Sequence, residues 1–322
     1  FTSGSGGGGS CAYKATLRDT VVTACSNSFE AMDCSLYGCR LENSGNSAAQ
    51  VRAGNIVSNC VVTGIRTSPA IAVIATGTSA RIVDSVISNN FGTAVDVHVK
   101  DEDGVTIRIE NCYVNCTNTT YYAARAGRVK ATSKAKNSIF AKNTVFDGPV
   151  TGRGEYYNCR IGGERSTFPA ASCSETDATY TGETHFLKLF NCTVTGHTST
   201  KTAGGAEGYV VAVNSIIRGN AGKAGTADAF FAATNSCLEA DATAGEEVGC
   251  VRVNPRFHRE PELKYIPRAS ALRGKSVVFD WMSDPEDIRS VDLRGEPRLR
   301  DGTADIGAYQ MLPPVGLMLM VR

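Results

Sequence analysis

One short phrase recurs nine times along this chain: an apolar residue, a spacer, Asn or Asp, then Cys, Ser or Thr, then a β-branched or otherwise apolar pair. It first reads LRDTVV from Leu17, and further copies start at Leu36, Val57, Ile82, Ile109, Ala135, Tyr156, Leu189 and Ala212. Successive copies lie 19 to 33 residues apart. A repeat of that length signals a stacked architecture. The residues within each copy are extended in type, Val, Ile, Thr, Tyr, Phe and Leu alternating with polar ones. A strand this short cannot bury its face alone. Copies stacked in register can, each adding one row to a shared core.

Three columns emerge when the copies are aligned. The first is Asp19, Gly38, Asn59, Asp84, Asn111, Asn137, Asn158, Asn191 and Asn214. Asn and Asp tolerate turn geometry, and Gly38 suits a corner with positive φ. Stacked amides at one corner can also bond along the axis, as Asn ladders do in stacked sheets. The second column is Thr20, Cys39, Cys60, Ser85, Cys112, Ser138, Cys159, Cys192 and Ser215. Free Cys behaves as a small hydrophobe, so this column reads as an inward position selected for size. The third, running from Val22 through Leu41, Val62, Ile87, Val114, Phe140, Ile161 and Val194 to Ile217, is apolar throughout and reads as core.

The predicted fold is therefore all-β: a single-stranded, right-handed parallel β-helix of about nine coils. Residues 1–235 form the coils, with the first coil incomplete. Residues 236–312 form a closing segment of the same domain, and 313–322 an apolar tail strand. The stretch after Phe1, TSGSGGGGS, reads as an inner turn of a coil whose first half is missing, so that any sorting signal lies upstream. With 33 Gly, a helix-rich fold is disfavoured. A net charge of +1 without a basic stripe argues against nucleic acid as a partner. No apolar run is long enough to span a bilayer.

The 12 cysteines do not form a zinc pattern, since no CxxC pair occurs. Cys237 and Cys250 bracket a Gly-, Ala- and Glu-rich loop and are the best disulfide candidate. Cys39/Cys60 and Cys159/Cys192 fall in adjacent coils, where the spacing is also compatible with a bridge.

Near the C-terminal end stand Asn254-Pro255-Arg256-Phe257, Tyr265-Ile266-Pro267 and Ser270-Ala271-Leu272. Asp292-Leu293-Arg294-Gly295-Glu296-Pro297-Arg298 and Asp305-Ile306-Gly307-Ala308-Tyr309-Gln310 follow. Together with the NCxI-like repeats, these phrases resemble the closing segment of bacterial right-handed parallel β-helix proteins of the pectate-lyase-like superfamily. Within it, the phrases more closely resemble the large surface and secreted group that includes the polymorphic outer-membrane-protein type. Asn254, Leu272-Arg273-Gly274 and Gln310 depart from that pattern, which weakens any metal or carboxylate role borrowed for the segment. The resemblance implies an extracellular or cell-surface location in a bacterium, and no particular reaction.

Candidate chemistry is sparse. Asp101, Glu102 and Asp103, with Lys100 or Arg108 nearby, could hold Ca²⁺ as a polysaccharide lyase does, or form a solvated turn. Asp177, Glu183 and Glu207 sit in longer excursions and could supply the paired carboxylates of a glycoside hydrolase, which must lie about 5–9.5 Å apart. His98, His185, His197 and His258 are scattered, with no nucleophile that the sequence can place beside them. Asn115, Asn118 and Asn191 match glycosylation sequons. A catalytic groove calls for Asp, Glu, Lys and Arg converging across three adjacent coils. Thr63, Ser88, Asn115 and Thr195 supply small polar residues instead. The expected function is a non-enzymatic structural or adhesive module of a longer surface protein. It would contact itself or neighbouring subunits through an open first coil and the apolar tail. The alternative is a carbohydrate-active enzyme or carbohydrate-binding β-helix.

Overall fold

The computed structural model describes residues 12–23, 31–42, 49–51, 54–66, 69–73, 80–97, 106–118, 120–126, 138–163, 165–174, 179–180 and 183–313. Within them the chain winds as a parallel β-helix. Each coil contributes to three ladders of short strands, and each strand pairs in parallel with its equivalents in the coils before and after. One representative coil runs Val95–Val97 in the first ladder, Thr106–Glu110 in the second and Tyr113–Cys116 in the third. The third ladder is a ten-stranded sheet. The first two belong to one nineteen-stranded sheet, because the late strands Ala206–Val213, Ala229–Thr234 and Thr243–Val248 run through both.

The bend between the second and third ladders is the repeated Asn/Asp position. Eleven such corners occur among the described residues, at Asp19, Gly38, Asn59, Asp84, Asn111, Asn143, Asn158, Asn191, Asn214, Asn235 and Gly249. All have φ between +43° and +64°. That left-handed conformation suits Asn, Asp and Gly. The corner thus repeats twice beyond Asn214.

One register expectation is corrected. Asn137 lies outside the described residues, and the corner of its coil is Asn143, between Ser138–Lys142 and Val145–Asp147. The reason is an internal duplication. AKNSIF at Ala135 and AKNTVF at Ala141 carry the same pattern six residues apart, and only the second puts aromatic bulk inward. Phe146 is fully buried and meets Tyr156 edge-on at 5.6 Å, whereas Phe140, expected in the core, faces outward. Thr144, not Ser138, consequently fills the Cys/Ser/Thr column. The coil that follows takes only 15 residues from Asn143 to Asn158, turned tightly through Gly148 and Gly152.

The Cys/Ser/Thr column has a second requirement beyond size. At every corner the γ-atom donates to the carbonyl two residues earlier, as Cys60 Sγ does to Ser58, Ser85 Oγ to Val83 and Thr144 Oγ1 to Lys142. The same atoms accept amides from the preceding coil. Cys39 N donates to Cys60 Sγ, Cys60 N to Ser85 Oγ, Cys112 N to Thr144 Oγ1 and Cys192 N to Ser215 Oγ. A buried amide at a bend would otherwise lack a partner. Burial pushes the Cys60 thiol up to about 11 and Cys112 to about 12, so these sulfurs stay protonated and can donate.

After the last coil, residues 252–313 turn back as a strap containing four short 3₁₀ turns, Pro261–Leu263, Ser270–Leu272, Asp280–Met282 and Ile288–Ser290. The corner asparagines hold it. Asn143 Nδ2 donates to the Ile288 carbonyl at 2.9 Å, and Asn158 Nδ2 to Arg289 and Val291 at 2.9 and 2.7 Å. Asn214 Nδ2 donates to Val277 at 2.8 Å while its Oδ1 accepts the Val277 amide at 2.7 Å, and Asn235 Nδ2 donates to Lys275 at 3.1 Å. Amide-to-amide bonding along the axis is the lesser use, seen from Asn158 to Asn143 at 3.1 Å. Gly307 seats the strap against the third ladder with φ at +104°, where any side chain would be strained, and a Cβ there would also press on Ile216 Cδ1 at 2.7 Å.

The closing phrase folds on itself as an interlocked knot. Arg298, fully buried, donates to the carbonyls of Gly307 at 2.9 Å and Asp305 at 3.0 Å. Gln310 accepts the Asp305 amide at 2.8 Å through Oε1 and donates through Nε2 to the Arg298 carbonyl. Asp292 Oδ2 accepts the Gln310 amide and Asp305 Oδ2 the Met311 amide. An amide side chain at position 310 can do both jobs, whereas an ionised carboxylate could only accept. No helix of the described residues is long and apolar enough to cross a membrane.

Candidate functional site

The outward position three residues before each corner forms a column that runs up the second ladder. From the corner at Asp84 to that at Asn235 it reads Arg81, Arg108, Phe140, Glu155, Lys188, Val211 and Ala232, each paired with the next. Side chains alternate across a strand, so these residues share one outer face. The middle of the column lines a cleft of about 520 Å³, together with Arg153, Thr184, His185 and Phe186.

Glu155 is the pivot of the cleft. Its Oε1 accepts from Lys188 Nζ at 3.0 Å and its Oε2 from the Tyr157 hydroxyl at 2.9 Å. Burial, with the Glu155 charge beside it, pushes the Tyr157 phenol well up, so that group is a fixed donor. Arg108 stands over the Phe140 ring at 5.6 Å. Arg, Lys and Glu thus converge over adjacent coils.

Beyond the cleft the face becomes aromatic. Phe186 lies 4.7 Å from Phe231 and 6.2 Å from Tyr209, and Tyr209 stacks with Phe231 at 6.1 Å. Phe231 is 42% exposed. Tyr209 and Phe231, with Thr243 and Gly245, line a second, shallower cleft of about 410 Å³. Phe186 links the two. The face therefore offers flat apolar rings beside a short row of charged hydrogen-bonding groups, a lining typical of ligand sites.

Several sequence candidates fall elsewhere. Asp101, Glu102, Asp103, Asp177 and His98 lie outside the described residues, and so does the segment from residue 314. Among the described residues no group of three or more His, Cys, Asp or Glu comes together as a metal site would need. Glu183 belongs to the strand Glu183–Thr184. Glu207 is on the outer side of the first ladder, between Ser172 and Ala229. It is not among the described residues that line the cleft holding Glu155.

His197 meets a serine that the sequence could not supply. Its Nε2 is 3.2 Å from Ser166 Oγ, but both groups are buried, and both hydrogen-bond the Phe168 carbonyl. Burial lowers the His197 pKa, and the pair ties a turn down. His258 lies 3.3 Å from Glu260.

Two further sets of sequence candidates have these places in the structure. Cys237 and Cys250 are both free thiols. Cys237 pairs across the ladder with Val251, so Cys250 falls one position out of register with it. Thr63, Ser88, Asn115 and Thr195 belong to the third ladder and the turn after it, where Asn115 and Thr195 are buried. Asn115 Nδ2 bonds the Asp147 carbonyl at 3.1 Å. The charged column could have been read by counting back three residues from the corners Asp84, Asn111, Asn158 and Asn191, which gives Arg81, Arg108, Glu155 and Lys188; only Phe140 needed the corner at Asn143. The chain matches no family model, no curated protein and no solved structure.

Proposed function

We propose that the molecule is an adhesive surface module that holds a polysaccharide along the outer face of its second ladder without cleaving it. The observation that carries this reading is the continuous strip from Phe140 through Glu155 and Lys188 to Phe186, Tyr209 and Phe231. Aromatic rings stack on the apolar C–H faces of sugars, while the Glu155–Lys188 pair and Arg153 supply hydrogen bonds to hydroxyls at its edge. An extended polymer suits a surface whose features repeat along one axis. Among the described residues lining the larger cleft, Glu155 is the single carboxylate. It already accepts from Lys188 and Tyr157, which favours holding a sugar over the two-carboxylate chemistry of hydrolysis. The likeness of the closing phrase to bacterial pectate-lyase-like surface proteins supports an extracellular setting, and the all-parallel solenoid is compatible with it.

Affinity electrophoresis through gels containing a panel of neutral and acidic polysaccharides tests this. Retardation is expected in at least one gel. The Tyr209→Ala, Phe231→Ala double variant should lose at least tenfold in affinity with its melting temperature held within a few degrees. Unretarded migration in every gel sinks the reading. Release of oligosaccharides would replace it with catalysis.

A further inference from the structure

The start of the strap collects positive charge that its surroundings do not offset. Residues 252–275 carry seven Lys and Arg against Glu260 and Glu262, in a chain whose net charge is only +1. Backbone bonds fold this stretch back on itself. The Pro255 carbonyl accepts the Arg268 amide at 2.9 Å and the Ala269 amide at 3.1 Å, and the Ile266 carbonyl accepts the His258 amide at 3.2 Å. Pro255 is buried and Phe257 packs on the Ile216 cluster, so the fold-back is anchored. It brings Arg256 and Arg259 on one arm towards Arg268 on the other. Two clefts of about 440 and 470 Å³ share Asn254, Arg256 and Arg268 in their linings, and Arg259 joins them in the second. No carboxylate is among the described residues that line either one. Among the described residues none of the three arginines makes an ion pair, whereas Arg252 is held by Glu247 at 2.7 Å and Glu260 lies against His258 at 3.3 Å.

We propose that this pair of clefts binds a tetrahedral oxyanion, a phosphate or a sulfate group, through Arg256, Arg259 and Arg268. All three side chains are exposed and so reach solute. Guanidinium forks match paired oxyanion oxygens. Donors from two arms of a fold-back suit an anion with oxygens on several sides better than a flat carboxylate. The backbone of Arg256 points the same way. Its φ is +51°, and apart from Lys14 every other non-glycine residue at positive φ among the described residues is Asn or Asp. Asn254 holds it there, its Oδ1 accepting the Arg256 amide at 2.8 Å. A left-handed backbone is costly for such a side chain, and positions of that kind cluster at binding sites. Neither cleft shares a lining residue with those of the second ladder, so the site stands apart from the polysaccharide reading.

The test is calorimetric titration of the full chain with inorganic phosphate and, separately, with inorganic sulfate at low ionic strength. Saturable binding is expected with at least one of the two, and the tighter anion identifies the group. Arg256→Asn keeps a residue suited to the left-handed backbone and should weaken that affinity about tenfold or more, the loss of a charge-assisted bond. Arg268→Gln should do the same from the other arm. Lys223→Gln removes an exposed charge outside the clefts and should leave the affinity within about twofold. Absence of saturable binding with both anions overturns the proposal. So does an equal loss in Lys223→Gln and Arg256→Asn, which would reduce the effect to the net charge of the chain.

Discussion

A γ-atom able both to give and to accept a hydrogen bond is what the residue after each corner must carry. That explains why Cys, Ser and Thr exchange freely there and Ala never appears at any of the eleven corners. The pattern was visible in the sequence; its cause was not, because the bond runs between coils whose register the sequence leaves open. The clearest case is the choice between Phe140 and Phe146, which belong to two near-identical phrases. Substituting Phe146→Ala empties a buried site against Tyr156 and should cost about 3–5 kcal/mol, read as a fall in the denaturation midpoint. Phe140→Ala, on the outer face, should cost under about 1 kcal/mol. Reversed values would return the corner to Asn137.

The strap and the corner column act on each other as elements, joined by side-chain amides instead of a strand pair. Asn158 is central, because its one Nδ2 serves two strap carbonyls and Asn143. Asn158→Gly retains the positive φ and removes the bonds. Asn158→Ala removes both. We expect losses of about 1–3 kcal/mol for the glycine variant from carbonyls left unsatisfied, and about 1–2 kcal/mol more for alanine from the left-handed backbone. Equal stability of the wild type and Asn158→Gly in chemical denaturation would mean that the strap is held by its apolar contacts alone. The closing phrase could be recognised from its residues, but its work as a knot of Asp292, Arg298, Asp305 and Gln310 depends on bonds between positions 5 to 18 residues apart. No local pattern announces those.

Across the whole molecule, support is unequal. The coils with corners at Asn143 through Asn235 have the strap along them, whereas those at Asp19 through Asn111 rely on their neighbours. Solenoid stability is close to a sum of such nearest-neighbour terms, and local opening follows the weaker part. Native-state hydrogen exchange should therefore be at least tenfold faster at Val57 and Ile82 than at Leu189 and Ala212. Uniform exchange would show one cooperative unit. The solenoid itself was legible from the repeat, since any chain that buries one apolar row per phrase must stack. The outer column from Arg81 to Ala232 was not read there, because it is built from residues 15 to 33 positions apart that belong to different coils.

The hooking of the strap by corners of identical shape has a consequence for how such a molecule can change over generations. A coil gained or lost between residues 31 and 97 would lengthen or shorten the rod and leave every strap bond named above in place. The same event between Asn143 and Asn235 would shift the hooks against a strap of fixed length and strand the knot at its end. Variation in size among descendants of this chain should accordingly concentrate in the early coils, with the late coils and the strap inherited as one unit.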